Sequence, residues 1–280
     1  MNENGSASVR TRPGIGIAFG GGVLYSIAGV GVARALDEAH LPVVAVTGTS
    51  GGAIVGAAVA AGLRGWEMQQ AAEELDWGEL VRFSPGRMGI LDGDRMAKFV
   101  ERMTGCRTFE DLKMPFTSVC TDILRGAESR ITSGPLGVAV QASCLIPGLF
   151  QPVKMGDELL VDGGVTANLP VGALCDHHPA VVLAMDVLTL SDRYQGRLRT
   201  AAHVVLKAYH TLVRRNVDEE ERRADFIVMP NMTGLSVMNF KDTPEVIAKG
   251  EEAIQPFIPR LRALLADRLS GLPAPASVPI

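Results

Sequence analysis

Apolar runs and helical patterns alternate from the first folded residues onward. IGIAF at 15–19 is followed by a helix near 26–39, then VVAVT at 43–47 and a helix from about 51 to 62. That alternation predicts βαβ units and a mostly parallel sheet, an α/β fold. Segment 66–104 carries amphipathic helical patterns around Pro85 and Gly86, and FTSVCTDI at 116–123 reads as a buried strand. SRITSG suggests an edge strand, and VAVQASCLIPGLF a helix stopped by Pro147. PVKM and ELLVD flank the turn signal Gly156-Asp157 and predict a hairpin. AVVLAMDV at 180–187 and DFIVMP at 225–230 add two sheet strands, with a long helix of about 198–223 between them. The charged second half of that helix, RRNVDEEERRAD, fits a solvated face. The chain closes with helix over 244–267, broken at Pro256 and Pro259.

Composition narrows the choices. A chain of 280 residues, 47% of them hydrophobic, suits one large α/β domain or two small ones with an ample core. The expected folded part is 12–268, with a polar, disordered tail at 1–11 and a flexible Pro/Ala/Ser tail at 269–280. A net charge of −4 without a long basic run excludes a dedicated nucleic-acid surface. The four cysteines, Cys106, Cys120, Cys144 and Cys175, form no CxxC, and residues 1–14 lack the apolar core of a signal peptide. A cytoplasmic location is therefore expected, with the thiols as small buried hydrophobes. No apolar stretch reaches the length of a membrane span, so any lipid contact is expected to be peripheral.

The chemistry concentrates in three places. Gly48-Thr49-Ser50-Gly51-Gly52 lies between an apolar run and an Ala-rich helical stretch, the order of strand, glycine-flanked serine and helix that builds a nucleophile elbow. The bland alternative is a chance motif with Ser50 merely capping the helix. Gly20-Gly21-Gly22 follows the first strand, where backbone amides can approach a phosphate or the oxyanion of acyl transfer. A dinucleotide loop is disfavoured, because Gly20, Gly22 and Tyr25 do not meet GxGxxG. Two adjacent parallel strands would deliver loop and serine to one C-terminal sheet edge. Asp162, in LLVDGGVTANLP, ends an apolar strand just before Gly163 and Gly164; a plain Asp-Gly turn is the rival reading.

Other residues carry weaker signals. The five histidines, His40, His177, His178, His203 and His210, lie in no turn-rich setting after a strand and read as surface or satisfied helix residues. Asn168 either orients the Asp162 loop or simply forms a turn. Phe83, Met88, Ile90, Leu91, Met96 and Phe99 form either a wall or lid over Ser50 or an ordinary core. No metal site is expected: His177-His178 lacks partners at ligand spacing, and Asp92, Asp94 and Asp122 read as caps and turns.

GGG after the first strand, GTSGG after the second and DGG at 162–164 together resemble the bacterial patatin-like phospholipase family. The likeness extends through RTFEDLKMPFTSVCTDILRG (107–126), ASCLIPGLFQPV (142–153), LLVDGGVTANLPV (159–171) and AVVLAMDV. It implies a three-layer α/β/α fold with a central sheet and cofactor-free hydrolysis of the acyl esters of lipids by a Ser–Asp dyad without histidine. Carried onto this chain, Ser50 is the nucleophile, Asp162 the general base, and the amides around Gly20, Gly21, Gly22 and Val23 the oxyanion hole. A carboxylate at its ordinary pKa of ~3.9 is a poor base for an alcohol, so modest turnover is expected. The family loop usually continues as GGGx[RK]G, whereas this one runs Gly20-Gly21-Gly22-Val23-Leu24-Tyr25, without the basic residue and last glycine. That departure keeps open a non-catalytic acyl-binding or regulatory protein on the same fold. A conventional Ser–His–Asp α/β-hydrolase is the other rival, disfavoured because the serine follows only the second strand.

Overall fold

The computed structural model describes residues 12–189, 200–215 and 217–270. The expected tail at 1–11, and residues 271–280 of the expected C-terminal tail, lie outside the described residues. The strands in chain order are β1 Arg12–Phe19, β2 Val43–Thr49, β3 Arg82–Phe83, β4 Leu91–Asp92, β5 Phe116–Asp122, β6 Ala127–Ile131, β7 Val153–Met155, β8 Glu158–Asp162, β9 Pro179–Met185 and β10 Phe226–Val228. The helices are α1 Ala28–Glu38, α2 Gly51–Ala61, α3 Gly65–Glu73, α4 Trp77–Leu80, α5 Asp94–Thr104, α6 Leu136–Ser143, α7 Val171–Cys175, α8 Ala201–Arg215, α9 Val217–Glu221, α10 Thr243–Ile254 and α11 Ile258–Ser270.

The main sheet runs β10-β9-β1-β2-β5 with every pairing parallel. β6, β7 and β8 add an antiparallel flank. Alternation along the strands sorts side chains into two layers. Ile15, Ile17 and Phe19 of β1, with Leu183 and Met185 of β9, enter the large core shared with Val30 of α1, Val246 of α10 and Leu261 of α11. Ala18, Ala45 and Ala184 face the other way, against Leu169, Val171, Leu174 and Val217. Those small residues let α7 and α9 pack close, which gives the three-layer α/β/α arrangement.

Local chemistry shifts several boundaries. The helix expected to stop at Pro147 ends at Ser143, because the chain must turn there to bring Leu145 back to β8. Pro259 opens α11 instead of breaking a helix, since first-turn amides lack helical acceptors anyway. α11 also continues through Ser270, beyond the expected helix end at 267. Within the expected helix of about 198–223, residues 201–215 (α8) and 217–221 (α9) are helical. Segment 66–104 folds into α3, α4, the short β3–β4 hairpin and α5.

Candidate active site

Two strands converge on one edge of β5. β2 runs parallel to β5 and ends with Thr49 opposite Val119; β8 runs antiparallel and ends with Asp162 opposite Cys120. β6 occupies the other edge of β5 at these positions, so β2 and β8 share one edge and meet end to end. The next residue after β2 is Ser50, and its Oγ donates to Asp162 Oδ2 at 2.8 Å.

Ser50 sits at φ 54°, ψ −131°, a conformation that costs a non-glycine residue on the order of 1–3 kcal/mol. The surroundings hold it there. Its amide donates to Ser143 Oγ at 2.8 Å, and that hydroxyl donates to Val119 O at 2.5 Å. Gly52 packs so tightly that a Cβ would collide with the Phe19 and Gly20 carbonyls. Although Ser50 immediately precedes α2, its side chain makes no capping hydrogen bond. The hydroxyl is committed to Asp162 instead.

The Asp162 side chain is fully buried. Its Oδ1 accepts the Tyr209 hydroxyl at 2.7 Å and the Gly164 amide at 2.8 Å. Burial pushes its pKa up to about 6, against the opposing pull of the Tyr209, Gly164 and Ser50 hydrogen bonds. A carboxyl group tuned to that range exchanges a proton near neutral pH far more readily than an ordinary aspartate. Tyr209 comes from α8, 47 residues further along the chain. Nothing in its local sequence marks it; only the docking of α8 brings it to Asp162.

The glycine loop wraps around the serine. A Cβ at Gly21 would lie 3.0 Å from Ser50 Cβ, and one at Gly51 would lie 2.5 Å from Val23 O. Four residues were expected to offer amides here, and the geometry divides them. The Gly20 amide donates to Met185 O at 2.9 Å and the Gly21 amide to Asn168 O at 3.1 Å. The Gly22 and Val23 amides have no hydrogen-bond acceptor among the described residues. They are the pair free to receive an anionic oxygen. Asn168 makes no bond to Asp162; its Nδ2 donates to Gly21 O at 3.0 Å, so it fastens the glycine loop. In place of the basic residue and glycine, Leu24 and Tyr25 are buried, and the Tyr25 hydroxyl donates to Leu235 O at 2.8 Å.

The weaker candidates fall elsewhere. His177 pairs through Nε2 with Thr117 Oγ1 at 2.7 Å. The His203 side chain lies outside the described set. The apolar group at 83–99 splits: Met96 and Phe99 are core, whereas Phe83, Met88 and Ile90 are exposed. A cleft of about 710 Å³ opens at the opposite edge of the sheet, where Val43 begins β2 and Gly62 follows α2. Among the described residues, no cluster of three or more His, Cys, Asp or Glu is placed to hold a metal ion. No described helix is long and apolar enough to cross a membrane.

A family model for patatin-like phospholipases matches residues 17–174, which span the glycine loop, Ser50, Ser143, Asp162 and Asn168. The chain belongs to the patatin-like phospholipase family. Tyr209 comes from beyond the matched patatin-like segment. The chain is similar to an uncharacterized NTE family protein of Mycobacterium tuberculosis, 32% identical over 188 residues, covering 65% of this chain and 52% of that protein. It thus spans about half the length of that mycobacterial relative. It is also similar to lysophospholipase NTE1 of Phaeosphaeria nodorum, 29% identical over 193 residues, covering 64% of this chain and 12% of that protein. Among solved structures, VipD from Legionella pneumophila superposes with a TM-score of 0.60 at 15% identity, over 92% of this chain and 67% of that one. VipD shares the fold.

Proposed function

We propose that this patatin-like protein is a serine hydrolase that cleaves acyl esters of lipids through Ser50 and Asp162. The observation that carries this reading is the 2.8 Å bond from the strained Ser50 hydroxyl to a buried carboxylate with a raised pKa. As Ser50 Oγ attacks the ester carbonyl, its proton passes to Asp162 Oδ2. The carbonyl oxygen becomes an oxyanion beside the Gly22 and Val23 amides and the N-terminus of α2, whose aligned peptides favour negative charge. Collapse breaks the ester C–O bond, and protonated Asp162 returns the proton to the leaving alkoxide. Water then repeats the sequence on the acyl-enzyme, with Asp162 again accepting the proton.

The lipid substrate class is supported by family membership and by the NTE1 lysophospholipase relative. A lipid surface as the place of action is supported by the β3–β4 hairpin. Phe83, Met88 and Ile90 are 73%, 57% and 45% exposed there, and Arg87 is exposed between them. The hairpin is tied to the site through one loop: Ile90 N donates to Leu149 O, Gln151 Nε2 to Ser84 O, and Asp162 N to Leu145 O.

Two rivals carry less support. In a histidine triad an imidazole would stand on the carboxylate, but the Asp162 oxygens accept from Ser50, Tyr209 and Gly164. A pure acyl-binding protein has no use for a strained serine paired with a buried carboxylate. Release of p-nitrophenol from a series of acyl esters tests the reading. Wild type should turn over, and Ser50→Ala and Asp162→Asn should each lose roughly 10⁴-fold or more. Equal rates in wild type and Asp162→Asn would remove Asp162 from the reaction.

A further inference from the structure

The acceptor capacity of Asp162 is divided unevenly. Among the described residues, Oδ1 takes two donors, the Tyr209 hydroxyl at 2.7 Å and the Gly164 amide at 2.8 Å, while Oδ2 takes only Ser50. Two donors on one oxygen fix the rotation of the carboxylate about its Cβ–Cγ bond, and they leave the Oδ2 lone pairs to the serine proton. A buried anion also needs such donors in order to stay charged. The Gly164 amide belongs to the turn that carries Asp162 and is supplied locally. Tyr209 arrives from a separate helix and is the one side chain that donates to Oδ1 among the described residues. The site is built to admit it, because a Cβ on Gly164 would strike the Tyr209 hydroxyl.

We propose that Tyr209 is a positioning residue for acyl transfer: its hydroxyl aims Oδ2 of Asp162 at Ser50 and holds the buried carboxylate in its charged form. This role rests on the reading of Ser50 and Asp162 as an acyl-transfer pair. Among the described residues, the titratable groups facing Asp162 are Tyr209 from α8, the Cys120 thiol from β5 and the Cys144 thiol just after α6. Burial pushes the ionisation of all three upward, so each is neutral where Asp162 titrates. Of these three, Tyr209 makes a hydrogen bond that lowers the Asp162 pKa. Its loss therefore makes the carboxyl group harder to ionise and moves the titration to higher pH.

The test has two arms. In the first, the Asp162 carboxyl is followed by carbon-13 NMR across pH in Ser50→Ala, with and without Tyr209→Phe, and assigned by its disappearance in Asp162→Asn. The midpoint should rise by about one pH unit when the hydroxyl is removed, a tenfold change in proton affinity. In the second, kcat/KM of Tyr209→Phe is measured from pH 5 to 9 in the Ser50 enzyme. The acidic limb should move up by a similar amount, so that the rate falls on the order of tenfold below pH 6 and lies within about twofold of wild type at pH 9. A merely structural loss would lower the rate equally at every pH. Gly164→Ala provides a second route, since it displaces the hydroxyl while keeping the amide and should shift the midpoint in the same direction. The double variant should shift no further than Tyr209→Phe alone. An unmoved carboxyl midpoint in Tyr209→Phe overturns the role of Tyr209 even if the enzyme is active. A moved midpoint in a protein without esterase activity upholds the Tyr209–Asp162 coupling and sinks the hydrolase reading instead.

Discussion

Asn168 and Gly21 hold each other by two reciprocal hydrogen bonds, Gly21 N to Asn168 O at 3.1 Å and Asn168 Nδ2 to Gly21 O at 3.0 Å. The chain six residues past Asp162 is thereby fastened to the loop whose Gly22 and Val23 amides are free. Replacing Asn168 with Ala keeps one bond and leaves the buried Gly21 carbonyl without its side-chain donor, at a cost of about 1–3 kcal/mol. The loop amides then lose their fixed placement beside Ser50. Expected outcomes are a lowered Tm by thermal melting and a kcat reduced by roughly 10²-fold, the order seen when an oxyanion donor is lost.

Burial of Asp162 carries a pH signature with a definite sign. Its pKa rises from 3.8 unfolded to about 6 folded, so the native state binds a proton more tightly than the unfolded chain. Stability is therefore lost as pH rises between those values, reaching about 3 kcal/mol at neutral pH and staying constant above it. Asp162→Asn removes the ionisation. Urea unfolding should show the variant gaining on wild type by about 1–2 kcal/mol between pH 5 and pH 7.5. A difference between the two proteins that stays constant over this interval would mean that the carboxyl group is not raised.

On the proposed mechanism the same ionisation governs rate. If Ser50 passes its proton to charged Asp162, kcat/KM on a soluble ester rises through an acidic limb with a midpoint near 6. A limb near 4 would match a solvated aspartate, and the burial argument would fail.

Ser143 takes the Ser50 amide and gives its hydroxyl proton to Val119 O, so it links the strained turn to β5. Ser143→Ala leaves both groups buried and unmatched. Chemical denaturation should show a loss of about 1–3 kcal/mol, accompanied by slower acylation as the φ 54° turn relaxes.

On the proposed lipid-surface reading, Phe83 and Met88 allow docking to be tested apart from chemistry. Changing both to Ser removes two exposed apolar side chains of the β3–β4 hairpin without touching the core. Sedimentation with anionic phospholipid vesicles should fall several-fold, while hydrolysis of a soluble ester stays within about twofold of wild type. Unchanged vesicle binding would take the membrane role away from this hairpin.

Local patterning made the elements from β1 to α2 legible, because apolar strand runs alternate with helical stretches there and glycines mark the turn out of each strand. Ser50 and Asp162 could be singled out for the same reason: each stands at a strand end beside glycines. Their 2.8 Å contact could not be derived from spacing, since it depends on β2 and β8 sharing one edge of β5. Tyr209 was invisible because an aromatic residue in an amphipathic helix looks like packing until its hydroxyl finds a buried anion. The division of the glycine-loop amides was equally hidden, because Met185 and Asn168, far along the chain, consume two of the four. Pro259 was misjudged through its position, which is harmless in a first helical turn.

Covalent capture of the serine tests the central claim most directly. The intact protein is treated with a fluorophosphonate, digested and mapped by mass spectrometry. One adduct is expected, on Ser50, absent in Ser50→Ala and formed much more slowly in Asp162→Asn at pH 7.5. A properly folded protein that takes no label, or takes it on another residue, would contradict the account.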